Sequence, residues 1–166
     1  MPTLSLTALA AYDGAWKRAI LALKHGRRDV AGTLGERLAT FVRSDRLLVG
    51  VPTTRARRGD RGFDGAVLLA QRAAMHAGAR CAAVLHQRAG DTQRGRNRTA
   101  RLQARGRFGC SPPAVSGTEA VLIDDVATTG ATLEDCAATM RESGWVVAHA
   151  IVVARARPSI ASIKKE

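Results

Sequence analysis

Two adjacent carboxylates, Asp124 and Asp125, stand just ahead of a run rich in hydroxyls, Thr128, Thr129, Gly130 and Thr132. Paired carboxylates accept hydrogen bonds from two neighbouring hydroxyls, as on a sugar. Backbone N–H groups at a helix N-terminus carry partial positive charge and suit a phosphate. Threonine hydroxyls add donors, and a glycine lets the backbone approach an anion closely. A diol acceptor beside an anion cradle describes a site for a ribose 5-phosphate. An ordinary strand–turn–helix with a capping threonine would explain the turn, but neither the double aspartate nor the density of hydroxyls.

A second constellation follows the apolar run Leu47–Val51. Pro52, Thr53, Thr54, Arg55, Arg57 and Arg58 form a candidate pyrophosphate loop, with Arg61 close behind. A polyanion needs backbone donors and guanidinium groups just beyond a strand end. A merely solvated basic loop has the same composition. His25 and His86 are candidate acid/base groups, and each also reads as a solvated loop histidine.

These residues need a frame. Apolar positions at helical spacing predict one helix over residues 12–24 (Trp16, Ala19, Ile20, Leu23) and a second over 30–43 (Val30, Leu34, Leu38, Phe41, Val42). Leu47–Val51 predicts the first core strand, ended by Pro52. Residues 64–77 read as a helix and Ala82–Leu85 as a second strand. Val121–Ile123 reads as a buried strand ending at the two carboxylates, and Leu133–Arg141 as the helix after them. Trp145–Val153 supplies a further strand, and residues 154–166 a weakly ordered tail. Alternating strands and helices predict an α/β fold, a mostly parallel central sheet flanked by helices. Ligands of such sheets sit at the carboxyl ends of the strands. Residues 86–107 carry seven arginines and almost no apolar content, so they predict an exposed, mobile flap.

The 166 residues suit one domain with a single sizeable core. No stretch approaches the roughly 20 apolar residues of a membrane span. No signal pattern opens the chain, so a cytoplasmic protein is expected. Cys81, Cys110 and Cys136 are scattered and form no metal-binding or disulfide pattern. Cys81 and Cys136 read as small core residues. The net charge of +12 suggests polyanionic partners, phosphorylated small molecules or nucleic acid. An arginine-rich background composition would produce the same charge. Aromatic residues are only 4% of the chain, which argues against recognition by base stacking.

Residues 121–132 resemble the phosphoribosyl pyrophosphate (PRPP) loop of type I phosphoribosyltransferases. By that resemblance Asp124 and Asp125 hold the ribose hydroxyls, and Ala127, Thr128, Thr129, Gly130, Ala131 and Thr132 wrap the 5-phosphate. The segment from Val51 to Gln71 resembles the Val-Pro…Arg…Arg-Gly-Phe-Asn…Leu-Ala block of the ComF (competence protein F) family, with Asp64 in place of the usual asparagine. Tyr12, Gly14, Lys24 and Gly26 match that family's opening segment. Gln93, Gly95, Arg101 and Phe108 match its flap block, although Arg96 replaces a leucine, the asparagine expected near Ala104 is missing and the spacing to Phe108 is one residue short. The resemblance spans about residues 12–153.

The resemblance implies a type I phosphoribosyltransferase fold with a mobile flap. It also implies Mg²⁺, held by Asp124 and Asp125 largely through substrate and water, in keeping with the ion's habit of retaining waters and substrate oxygens. Asp124, Asp125 and Arg101 are then the candidate catalytic residues. The reaction would be displacement at C1 of PRPP with pyrophosphate leaving and an unknown acceptor attacking. Dimers are common in that superfamily, so a homodimer is possible. Many ComF proteins carry a four-cysteine N-terminal zinc module, and none is expected in this chain. Pro2 rather than cysteine follows Met1, and 166 residues leave no room for a glutaminase part, so glutamine-dependent transfer is not expected. A competing reading is an accessory protein of DNA uptake that binds single-stranded DNA or another nucleic acid, with PRPP as effector or vestige.

Overall fold

A computed structural model describes residues 3–53, 59, 62–88 and 107–156. Strand β1 (Ser5–Ala11) opens the chain, followed by helices α1 (Gly14–Lys24) and α2 (Val30–Ala39) and strand β2 (Leu47–Gly50). Helix α3 (Gly65–Ala77) leads to the short strands β3 (Arg80–Cys81), β4 (Leu85–Gln87) and β5 (Phe108–Cys110). Strand β6 (Glu119–Ala127), helix α4 (Ala131–Glu142) and strand β7 (Val146–Arg155) complete the order.

Among the described residues five strands make one parallel sheet in the order β1-β7-β6-β2-β3, and β4 and β5 pair separately as an antiparallel ribbon. The β-branched run of β7 and the Val121-Leu122-Ile123 stretch of β6 are buried, as central parallel strands require. Alternation along these strands feeds two cores. On one face Ile20 and Leu23 of α1, Leu34 and Leu38 of α2 and Leu69 and Ala73 of α3 pack over Leu48, Ile123 and Ile151. On the other, Leu133, Cys136 and Met140 of α4 and the ribbon residues Leu85 and Phe108 pack over Val49, Leu122 and Val152.

Close approach fixes α3 on β2. A Cβ on Gly50 would lie 2.5 Å from Val67 Cα and 2.7 Å from Ala66 O, so only glycine lets the helix start settle on the strand end. Among the described residues no helix is long and apolar enough to cross a membrane.

The fold class agrees with the sequence expectation, while several boundaries move. The first strand is β1, not Leu47–Val51: Leu4 and Leu6 alternate with Ser5 and Thr7, and the segment finds its partner in distant β7. Ala82–Leu85 is not one strand, because the chain leaves the main sheet after Cys81 and re-pairs only at Leu85. α2 ends at Ala39, where Thr40 turns its hydroxyl back to Arg37 O at 2.8 Å, and Phe41 is left 52% exposed rather than on a helical core face. β6 runs on through both carboxylates to Ala127, and β7 to Arg155. The basic stretch expected to be exposed from residue 86 opens inside β4; its residues 89–106 lie outside the described residues, as do 157–166 of the tail. Cys136 is buried, and Cys81 only partly so.

Candidate active site

β6 carries Asp124 and Asp125 near the carboxyl edge of the sheet and delivers the chain into the start of α4. Successive strand residues point to opposite faces, and the contacts follow that rule. Asp125 lies on the α1 face, its Oδ2 3.2 Å from Lys24 Nζ. Asp124 belongs to the α4 face, where its charge acts on the Cys136 thiol. The two carboxyls are tied through the backbone, the Asp125 N–H donating to Asp124 Oδ1 at 2.8 Å.

The electrostatics of the pair are lopsided. Burial first, and then the neighbouring Asp125 charge, push the Asp124 carboxyl up to about 8. Its own residue surface is only half-buried, but the carboxyl group itself is ringed by protein, and the upward direction follows from that enclosure. The Asp125 N–H and Lys24 pull the other way and Asp64 adds to the rise. Cys136 is pushed well up by burial, with Asp124 and Asp135 adding to it, so it is an inert core thiol.

Beyond Ala127 the turn exposes Thr128 and Thr129 and reaches Gly130, the α4 N-cap, whose φ of +82° is the left-handed region. Thr129 Oγ1 accepts from the Ala131 N–H at 3.3 Å. The N–H groups of the first turn have no acceptor within a helix, and Ala131 and Thr132 are exposed there. An anion placed over this turn meets the positive end of α4.

β2 lies beside β6, with Gly50 opposite Ile123. The Val51 N–H still donates to Ile123 O at 2.9 Å, so the chain leaves the sheet at Pro52 next to Asp124. Pro52 O accepts from Gln87 Nε2 at 3.3 Å, which ties the loop to the β4–β5 ribbon. The Thr53 N–H donates to Asp64 Oδ2 at 2.7 Å, while Asp64 caps α3 through a long 3.5 Å contact from the Val67 N–H. Asp64 thus ties the loop after β2 to the start of α3. Thr54, Arg55, Arg57, Arg58 and Arg101 lie outside the described residues.

The structure thus brings Asp124, Asp125, the segment Ala127–Thr132 and the start of the loop at Pro52 and Thr53 to one sheet edge. His25 caps α1 and is exposed. His86 sits exposed on β4, its ring against Gly109. Sequence reasoning missed Lys24 as a site residue: it was visible only as a motif position, and its partner is distant in the chain. Arg107, bonded to Asp135 of α4 at 3.3 Å, was also missed, since nothing in its neighbours marks it. Among the described residues no group of three or more His, Cys, Asp or Glu side chains could hold a metal. The two carboxylates do not converge on a direct Mg²⁺ site, because Asp125 is ion-paired with Lys24 on one face of the strand and Asp124 lies on the other.

The parallel five-stranded sheet with helices on both faces is a fold that two solved enzyme structures share. The structure of an allosteric regulatory enzyme of purine biosynthesis superposes with a TM-score of 0.55 at 22% identity, over 76% of this chain and 26% of that one. The glutamine PRPP amidotransferase of B. subtilis, solved with ADP and GMP, gives 0.55 at 23% identity, with the same 76% and 26% coverage. The chain therefore spans about a quarter of the length of these structures, and at such identities the likeness is one of fold. No family model matches the chain, and no curated protein sequence does.

Proposed function

We propose that this chain binds PRPP and transfers its phosphoribosyl group to an acceptor, releasing pyrophosphate. The observation that carries the reading is the path of β6. One strand presents Asp124 and Asp125 and then runs through Gly130 into the exposed N-terminus of α4. A sugar diol and a 5-phosphate a few residues apart are what such a path accommodates. The PRPP-using structure among the fold's neighbours supports the same ligand.

In this reading the 5-phosphate rests on Thr128–Thr132, its charge met by the α4 N-terminus and by threonine hydroxyls. Asp125, held beside Lys24, accepts from one ribose hydroxyl. Asp124 exchanges a hydrogen bond with the other from the opposite side of the strand. The pyrophosphate extends towards the loop that leaves β2 at Pro52, the direction in which the C1–O bond breaks. The acceptor's nucleophile forms the new bond to C1 as the pyrophosphate takes the electron pair. Arg57, Arg58 and Arg101 are proposed to stabilise the charge on the leaving group. Any Mg²⁺ would arrive on the ligand's own oxygens.

The motif resemblance narrows the reading to a ComF-type protein. A second function, binding of single-stranded nucleic acid, draws on the net charge of +12. Contacts to phosphates would make its affinity fall steeply with salt, so binding indifferent to salt would remove it. The primary test is PRPP binding by calorimetry, with pyrophosphate release followed in the same samples. Binding lost in the Asp124→Asn/Asp125→Asn variant supports the site. Wild-type protein that takes up no PRPP refutes it.

A further inference from the structure

The Lys24–Asp125 contact is built by the fold rather than borrowed from a loose surface side chain. α1 is pinned at its start by the Tyr12 N–H donating to Arg155 O of β7 at 3.0 Å. It is pinned at its end by Ile20 and Leu23, which are 0% and 1% exposed. The helix stops immediately after Lys24, where the His25, Gly26 and Arg27 N–H groups fold back onto the carbonyls of Leu21, Ala22 and Leu23. The ammonium therefore projects from a fixed point onto a largely buried carboxylate. A cation in the last turn also meets the negative end of the helix, which favours it there.

Neighbouring cations of the same turn are engaged elsewhere. Arg27 is paired with Asp29 at 2.7 Å, and the Arg28 guanidinium lies 5.0 Å from the centre of the Phe63 ring. Among the described residues Lys24 is the cation of this turn that reaches β6. It occupies the side of Asp125 that a bare divalent ion would need, and a dication entering there would face an ammonium a few ångströms away.

We infer that Lys24 is the resident counter-cation of the carboxylate pair: a positioning residue that holds Asp125 in place for a hydroxyl donor and keeps free divalent ions off it. The hydroxyl-donor part rests on the phosphoribosyl reading above; the exclusion of ions does not.

The test uses Mn²⁺ alone as the probe, followed by its free-ion paramagnetic resonance signal during titration of ligand-free protein. Wild-type protein is expected to leave Mn²⁺ free. Lys24→Met should bind it at least about tenfold more tightly. Adding Asp125→Asn should abolish the gain, and Lys24→Arg should keep the ion out. Circular dichroism checks each fold, and Lys24→Gln replaces Lys24→Met if the latter does not fold. Wild-type protein that binds Mn²⁺ as tightly as Lys24→Met overturns the inference, as does a gain that survives Asp125→Asn. Because no phosphoribosyl ligand is present, this failure is separate from failure of wild-type protein to bind PRPP.

Discussion

Asp124→Asn should stabilise the protein, and should do so only where the pH is high enough to matter. The ordinary carboxyl value of 3.8 rises to about 8 in the folded chain, chiefly through burial and then through Asp125. Below 3.8 the group is protonated in both folded and unfolded chains, and the site adds no pH-dependent cost. As the pH climbs past 3.8 the unfolded chain releases the proton while the folded chain keeps it. Stability therefore falls continuously until about pH 8 and is level above that. At about 1.4 kcal/mol for each pH unit, the gap between the two values sets a ceiling of roughly 6 kcal/mol. Partial exposure of the residue reduces this to about 1–2 kcal/mol. Asparagine mimics the neutral acid, and its Oδ1 still accepts the Asp125 N–H. Urea unfolding of both proteins at pH 4 and pH 8 should show near-equal stability at the lower pH. At the higher pH the variant should gain about 1–2 kcal/mol, or roughly 3–6 °C in a thermal melt. A gain of equal size at both pH values, or a loss at pH 8, would refute the reasoning.

Gly50→Ala drives a methyl into the backbone of Ala66 and Val67, neither of which can swing aside. Urea unfolding should register a loss of about 1–3 kcal/mol. Gly130→Ala forces a side chain into a left-handed φ of +82°, costing about 1 kcal/mol; inorganic phosphate affinity, read by calorimetry, should fall with it. Asp64→Ala strips the Thr53 N–H and the α3 cap of their shared acceptor and should lower stability by about 1–2 kcal/mol. Cys136 should resist iodoacetamide at pH 8 in the folded protein and react in urea, since burial keeps its thiol protonated; mass spectrometry of the alkylated chain decides this.

Patterns that repeat within a few residues are legible in the sequence itself. The helical spacing of Ile20 and Leu23, the apolar run before Asp124 and the hydroxyl-rich turn at Gly130 each report a local geometry, and each stands where the spacing put it. What stayed hidden depends on remote partners. β1 is rich in alanine, a weak strand former, and is a strand because β7 offers it a hydrogen-bonding edge. β3 is two residues long and pairs only through β2. Lys24 sits in a string of basic residues that look alike in sequence, and only the packing of α1 across the sheet separates it from Arg27 and Arg28. The opposite faces taken by Asp124 and Asp125 follow from the strand continuing past them, which a run of apolar residues ending at Ile123 conceals.

The sheet order has a consequence for synthesis on the ribosome. β1 is made long before β7, yet β7 is its neighbour in the sheet, with Ser5 paired to His149 and Ala11 to Arg155. A nascent chain that already contains α1, α2 and α3 must therefore hold β1 without a partner until β7 emerges. Long-range pairing of this kind is slow, and an unpaired strand invites association with other chains. Lys24 rides on the helix directly after β1, whereas Asp125 is translated just before α4 and β7. Birth order thus postpones the meeting of ammonium and carboxylate until about a hundred further residues have followed Lys24.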